Sequence, residues 1–297
     1  MKRDSFSSYH PVVNIIYFAL VLMFSMVFMH LYMQGIALIS AVLYAVLLNG
    51  RRAIRFNLVY MLPLLLVMAV LNPVFNHAGV TILFYLKNGN PITLESILFG
   101  AAAACMFVTV LIWFSCYNAV MTSDKFIYLF GKIMPALSLI LSMVLRFVPR
   151  YIAQLKVISY AQKSIGRDVS QGSLLNRARQ GLTILSIMTT WALENAIETA
   201  DSMKSRGYGL PNRTSFSTYR FVRRDQIIAI IMTSLSAVII FGAIRGYIEM
   251  RFFPSIKAAE VTPISLIIYF AYFLLCMLPV IIHLLEEIKW RSLQSKS

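Results

Sequence analysis

Acidic residues are scarce in this chain: 12 Asp and Glu stand against 27 Lys and Arg, a formal net charge of +15. In a soluble protein that imbalance would point to nucleic acid. Here it accompanies 59% hydrophobic residues, only 13% charged residues and a mean hydropathy of +0.74, which a soluble domain of 297 residues does not carry. The composition indicates a polytopic membrane protein whose basic excess sits in loops and sets topology, with the lipid bilayer and not nucleic acid as its surroundings. Cysteine is nearly absent. Cys105, Cys116 and Cys276 all fall in apolar stretches, which speaks against a disulfide framework or a thiolate metal site and reads as small buried hydrophobes. The chain has no G-x-x-x-x-G-K-[ST] loop, no H-E-x-x-H and no G-x-S-x-G, so it does not bind ATP through a P-loop or carry those hydrolytic motifs. His10, His30, His77 and His283 lack metal-ligand spacing. Paired carboxylates are missing from the apolar runs, which weakens a proton-relay reading.

Long apolar runs are present instead. Spans are expected at 11–30, 32–49, 57–75, 95–120, 226–246 and 262–284, each near the twenty or so residues that cross a hydrocarbon core. The first two nearly touch and form a tight helical hairpin or one broken segment. Met1-Lys2-Arg3 precedes an apolar run with no small-residue cleavage site after it, so the first span is read as retained. The apolar stretch 79–86 is too short to cross and is expected at the outer interface or as a re-entrant piece. With the N-terminus inside, only Lys87, Arg245, Arg251 and Lys257 of the 27 basic residues lie outside, and the other 23 lie inside. This bias places both termini in the cytoplasm. Residues 133–148 are also apolar, but sixteen residues reach only about 24 Å. Crossing there would carry Arg150, Lys156, Lys163, Arg167, Arg177 and Arg179 outside. An interfacial or cytoplasmic helix is therefore expected, and likewise for 182–193.

The fold class that follows is all-α, a membrane protein with about six membrane helices and a cytoplasmic pair of long amphipathic helices. It divides into three segments, 1–120, 121–225 and 226–297. In the middle segment a first helix is expected from about Arg146 to Lys163, with Val148, Ile152, Leu155 and Val157/Ile158 at helical spacing. Pro149 starts or kinks it, and Gly166 is a left-handed C-terminal cap. A polar linker, Asp168 to Asn176, leads to a second helix from about Leu182 to Ser205. That helix sets Glu194, Glu198 and Asp201 on one face and Ile197, Ala200 and Met203 on another. Gly207 caps it, and Arg206 complements the negative end of its dipole. Such helices also describe amphipathic elements lying on a membrane. The carboxylate row, poorly placed against an anionic leaflet, fits better facing another protein or an internal cation such as Arg150.

Outside this block, Asn76, His77 and Glu95 form the best candidate site for a membrane enzyme acting on lipid-borne substrates, against the plainer reading of an interfacial loop with helix capping. A membrane scaffold or channel without ATP coupling is a further alternative. Asn212-Arg213-Thr214 matches a glycosylation acceptor, but topology places it inside. What emerges is a membrane protein with no engine of its own and a long cytoplasmic contact surface.

Three groups of residues narrow this further. They are Asn72-Pro73-Val74-Phe75-Asn76-His77 with Pro91-Ile92-Thr93-Leu94-Glu95, then Arg146-Phe147-Val148-Pro149-Arg150. Most specific are the two helix ends, Ala161-Gln162-Lys163-Ser164-Ile165-Gly166 and Asp201-Ser202-Met203-Lys204-Ser205-Arg206-Gly207-Tyr208-Gly209. Over nearly its whole length the chain resembles the transmembrane T component of energy-coupling factor (ECF) transporters, the EcfT/CbiQ family of prokaryotic vitamin and metal uptake systems. In that family each of two coupling helices ends in an Ala-Arg-Gly-like triplet that docks in a groove on an ABC-type ATPase. Ser205-Arg206-Gly207 matches with Ser for Ala. Ser164-Ile165-Gly166 lacks the arginine, and Arg167 follows one position late. The resemblance implies a prokaryotic cell membrane and a non-catalytic subunit without a cofactor of its own. It implies two ATPase subunits that bind ATP and Mg, and a membrane-embedded substrate-binding S component. Leu155, Ile158, Ile197 and Ala200 would mark where the helices cross or hold the S component.

Overall fold

The computed structural model describes residues 5–85, 90–208, 210 and 219–294. Lys2, Arg3, Lys87, Gly209, the Asn212-Arg213-Thr214 acceptor and Lys296 lie outside them. The chain divides into two compact units, Met1–Phe126 with Tyr219–Ser297, and Ile127–Thr218. The 121–225 segment encloses the second.

The first unit is built from α1 (Pro11–Val27), α2 (Leu31–Asn49), α3 (Arg51–Phe56), a π turn (Asn57–Met61) and α4 (Leu62–Phe75), followed by α5 (Leu94–Val120). After the second unit come α9 (Arg223–Ile244) and α10 (Pro263–Gln294), the pair that completes the first. α5 packs on α1, α2 and α4, while α10 packs on α2 and α9. Trp113 of α5 is fully buried and meets the rings of Tyr17 and Phe18 from α1 and Tyr44 from α2. Two polar side chains of this core pair across helices: Tyr17 Oη donates to the Cys276 carbonyl at 2.9 Å, and Gln34 Nε2 donates to the Ser25 and Phe28 carbonyls at 2.7 and 2.9 Å. The latter bonds tie the end of α1 to the start of α2. Two of the scattered histidines are helix caps, for His10 and His30 accept through Nδ1 from the Val12 and Tyr32 amides. Helices approach closely where side chains are smallest. A Cβ on Gly100 would sit 2.8 Å from Asn72 Cβ and 2.9 Å from the Ala69 carbonyl, so the α4–α5 contact needs this glycine.

Among the described residues six helical runs are long and apolar enough to cross a membrane. Their number matches the expectation, but their identities differ in two places. The 11–30 run is helical only over Pro11–Val27, 17 residues, because the chain turns extended at Phe28 before α2 begins. In its place stands α7 (Pro135–Ser164), 30 residues long. Sixteen residues understate the run that holds 133–148, since the helix does not stop at Pro149 but continues through it to Ser164. The 57–75 run begins earlier, at Arg51, and widens to π spacing just ahead of Pro63, a residue with no N–H to give. The apolar 79–86 stretch is not helical where described. Ile82–Tyr85 form strand β1, antiparallel to β2 (Pro91–Thr93), and they are exposed. A second two-residue pairing joins β3 (Met250–Arg251) and β4 (Lys257–Ala258).

Candidate functional site

The candidate coupling residues all belong to the second unit, which consists of the end of α6 (Ser123–Ile133), α7 and α8 (Leu174–Ser205). Both long helices exceed the lengths expected from sequence. α7 begins at Pro135 rather than Arg146, because Pro suits a first helical turn and the apolar residues that follow sustain the helix. α8 begins at Leu174 rather than Leu182. Ser173 caps it, accepting from the Asn176 amide at 3.4 Å, so the linker ends at Ser173 and not Asn176. α8 tolerates its many polar residues because they turn back on their own helix. Thr183, Thr189, Thr190 and Thr199 hydroxyls and the Asn195 amide each donate to the carbonyl four residues earlier.

α7 and α8 cross at a small apolar cluster of Ile158, Ile184 and Met188, flanked by Tyr151, Val169 and Trp191. Tyr151 meets Trp191 edge to face at a centroid separation of 5.3 Å, and the Arg150 guanidinium lies 5.6 Å from the centre of the same indole. Of the four residues expected at the helix contact, only Ile158 is buried there, at 7% exposure. Leu155 and Ala200 are exposed, as is Ile197 at 65%. The crossing uses the first half of α8, which the sequence marks by its apolar content, and leaves the second half uncovered in this chain. Glu194, Glu198 and Asp201 are exposed as well. Arg150 faces Trp191, and among the described residues no cation pairs with these three carboxylates.

The two helix ends share one backbone design. At the first, the Arg167 amide donates to the Gln162 carbonyl at 2.9 Å and the Gly166 amide to the Lys163 carbonyl at 3.0 Å, with Gly166 at φ 80°. At the second, the Tyr208 amide donates to the Met203 carbonyl at 3.0 Å and the Gly207 amide to the Lys204 carbonyl at 3.0 Å, with Gly207 at φ 78°. Each is a Schellman motif, in which a left-handed residue lets two amides reach back to otherwise unpaired carbonyls. The match extends to the serines: Ser164 Oγ donates to the Ala161 carbonyl at 2.8 Å and Ser205 Oγ to the Ser202 carbonyl at 2.9 Å. Ile165 and Arg206 occupy the same cap position, at φ −97°, ψ 17° and φ −85°, ψ 10°, and both side chains are exposed, Ile165 at 62%. The difference between the triplets is therefore one of side chain, not of backbone. The repeated Lys-Ser-x-Gly in the sequence is the signal of this equivalence.

Arg167 does not share the backbone position of Arg206. It stands one position past the glycine, where the second end has Tyr208, and its amide closes the cap. Next to it, the Asp168 carboxylate accepts from the Ser170 amide at 2.9 Å and pairs with Lys163 at 3.3 Å. The Ser170 bonds first, and the Lys163 ammonium after them, hold this carboxyl below the usual aspartate range. The cap and the first turn of the linker are thus fixed to each other.

The residues of the enzyme alternative are occupied in local structure. Asn76 Oδ1 accepts from the Ala78 amide at 3.2 Å, and His77 Nε2 meets the Asn90 amide at 2.9 Å. The buried Glu95 carboxylate accepts from the Thr81 amide at 3.2 Å and its hydroxyl at 2.9 Å. The Glu95 bonds pin the segment just before β1 to the start of α5. Among the described residues no group of His, Cys, Asp and Glu is placed to hold a metal ion.

Comparison with known proteins covers both helix ends. The chain is 36% identical over 92 residues to the energy-coupling factor transporter transmembrane protein EcfT of Lactobacillus helveticus, a match of 31% of this chain and 33% of that one. It is 35% identical over 106 residues to the protein of the same name from Staphylococcus aureus, covering 35% and 39%. With the Lactococcus lactis protein it shares 35% identity over 103 residues, covering 33% and 39%. The chain thus spans a third to two fifths of the length of these relatives. The model of the cobalt transport protein family, CbiQ, matches residues 7–216, which take in α1 through α8 and both caps. The chain belongs to the cobalt transport protein family, CbiQ.

Proposed function

We propose that this chain is the transmembrane coupling subunit of an ECF-type importer in a prokaryotic cell membrane, with both termini in the cytoplasm. Two ABC-type ATPase subunits, which bind the ATP and Mg, engage the ends of α7 and α8. A membrane-embedded S component binds the vitamin or metal ion. The observation that carries this reading is the pair of matched Schellman caps, each presenting one exposed side chain, Ile165 or Arg206, at the tip of a helix of 30 or 32 residues. A helix end closed on its own hydrogen bonds keeps its shape when pushed. It passes the movement of a docked ATPase along the rod instead of fraying. Arg206 supplies charge-assisted hydrogen bonds to carboxylates or carbonyls of its groove. Ile165 offers the other groove only apolar contact, with Arg167 beside it. The uncovered Leu155, Ile197 and Ala200 are the surface on which the S component is held.

The test is co-purification of the tagged chain with its ATPases, together with substrate uptake in cells. Arg206→Ala leaves expression unchanged, weakens ATPase retention and lowers uptake, while Ile165→Ala does so less. Unchanged retention and unchanged uptake in Arg206→Ala would overturn the assignment.

A further inference from the structure

We infer that the first unit carries a binding site for a phosphate-bearing anion at the corner between α2 and α3. A cavity of about 360 Å3 lies there, within the span of about 300–1,000 Å3 usual for small-ligand sites. Its polar lining comes from Asn49 at the end of α2, Arg52 of α3, Asn57 at the start of the π turn and Ser115 of α5. Phe56 and Ile112 form part of its apolar wall, and no carboxylate lines it. The lining is thus rich in hydrogen-bond donors and carries one positive charge. Asn57 Nδ2 is buried with no hydrogen-bond partner among the described residues. A donor withdrawn from water in this way calls for an acceptor from elsewhere. A water molecule alone would satisfy that amide, but the Arg52 side chain in the same lining favours an acceptor with negative charge, and its planar fork suits phosphate oxygens.

The location fits the same ligand. Ser115 is five residues from the end of α5 at Val120, about 8 Å along the axis, so the cavity is near a helix end and not at mid-span. By the charge bias this is the cytoplasmic end. Arg52 is exposed and forms no ion pair among the described residues, so its charge is available. π turns recur at functional sites, and this one begins at Asn57 itself. A phosphodiester would lie between Arg52 and Asn57 with its glycerol or acyl portion on Phe56 and Ile112. Arg51 and Arg55, on the same short helix, do not line the cavity and serve as internal controls.

The experiment is native mass spectrometry of the full detergent-solubilised chain, with phosphatidylglycerol or phosphatidylcholine added and glycerol 3-phosphate as a soluble competitor. Phosphatidylglycerol is retained in preference to phosphatidylcholine. Arg52→Gln reduces that retention roughly tenfold or more, the worth of one charge-assisted hydrogen bond. Asn57→Ala reduces it less, and Arg51→Gln and Arg55→Gln leave it near the wild-type level. Retention that glycerol 3-phosphate does not displace identifies a lipid headgroup. Binding of glycerol 3-phosphate without lipid retention, lost in Arg52→Gln, identifies a soluble phosphate. Either result supports the site. Equal losses in the Arg51, Arg52 and Arg55 variants would mean general attraction to a basic surface and would overturn the inference, as would binding of neither probe. Because Arg52 is exposed, its variant is expected to melt at the wild-type temperature, which separates loss of the site from loss of the fold.

Discussion

The two caps allow shape and side chain to be separated experimentally. An L-residue in the left-handed region costs about 1–2 kcal/mol, a factor of roughly 5–30 in the closed cap's population. At Gly166 an added Cβ meets nothing within 4 Å, so Gly166→Ala carries only that conformational cost. At Gly207 the Cβ would stand 3.0 Å from Leu210 Cδ1, but Leu210 is exposed and can swing aside. Gly207→Ala should therefore cost only slightly more. Asn accepts this conformation and should restore most of the loss, whereas a β-branched Val should exceed the Ala cost. Hydrogen exchange read by mass spectrometry on peptides over 160–170 and 200–208 reports the Arg167 and Tyr208 amides directly. Their protection should fall by about 5–30-fold in the Ala variants, further in Val and little in Asn. Co-purification with ATPases should dissociate from it: Arg206→Ala keeps protection and loses the partner, and Gly207→Val loses both. If Asn proves as disruptive as Val, or Val leaves protection unchanged, the left-handed caps do not control these ends.

Ile165→Arg places a guanidinium on a backbone already shaped like the second end, so it should express normally, with ATPase retention at or above wild type in a pull-down. Ile158→Ala removes one of the three buried residues of a small crossing and should destabilise the second unit by about 2 kcal/mol, the low end for such truncations, whereas exposed Ile197→Ala should change its unfolding free energy by less than about 0.5 kcal/mol, both read from thermal melts. Asp168 has a folded pKa below its unfolded value of 3.8, so its contribution is fully present above that value and is lost as pH falls through the folded pKa. Protease sensitivity of the 165–173 linker should stay constant from neutral pH down to that value and rise below it, while Asp168→Asn should be more sensitive throughout. A cysteine at position 163, on a cysteine-free background, should react with an impermeant reagent only from the cytoplasmic side; labelling from outside would overturn the proposed topology.

The apolar runs are legible because bilayer burial demands continuous hydrophobicity, which a single sequence records directly. Their limits are less so. Pro149 reads as a helix start or kink, yet α7 continues through it, because the residues on either side hold the helix. Gly166 and Gly207 are readable as caps, since few other residues take a positive φ without cost. The repeated Lys-Ser-x-Gly signals that Ile165 and Arg206 stand at one and the same cap position, but the hydrogen bonds between residues five apart that fix this geometry are not written in either side chain. The contact surface of α8 also lies elsewhere than its pattern suggests. Periodicity marks Ile197 and Ala200 as an apolar face, but cannot say whether that face meets α7 or something outside the chain.

The place where α7 and α8 cross makes them levers of unequal arm. From Ile158 to the tip at Ser164 is six residues, about 9 Å, and from Met188 to Ser205 seventeen residues, about 26 Å. A push of about 5 Å at the α8 tip turns that rod through roughly 11°, whereas the same push on α7 turns it nearly three times as far and sweeps its longer opposite arm, Pro135 to Ile158, through a wide arc. One end trades force for travel and the other keeps force. Under the proposed function, two equal strokes would thus enter this chain and leave it as different motions.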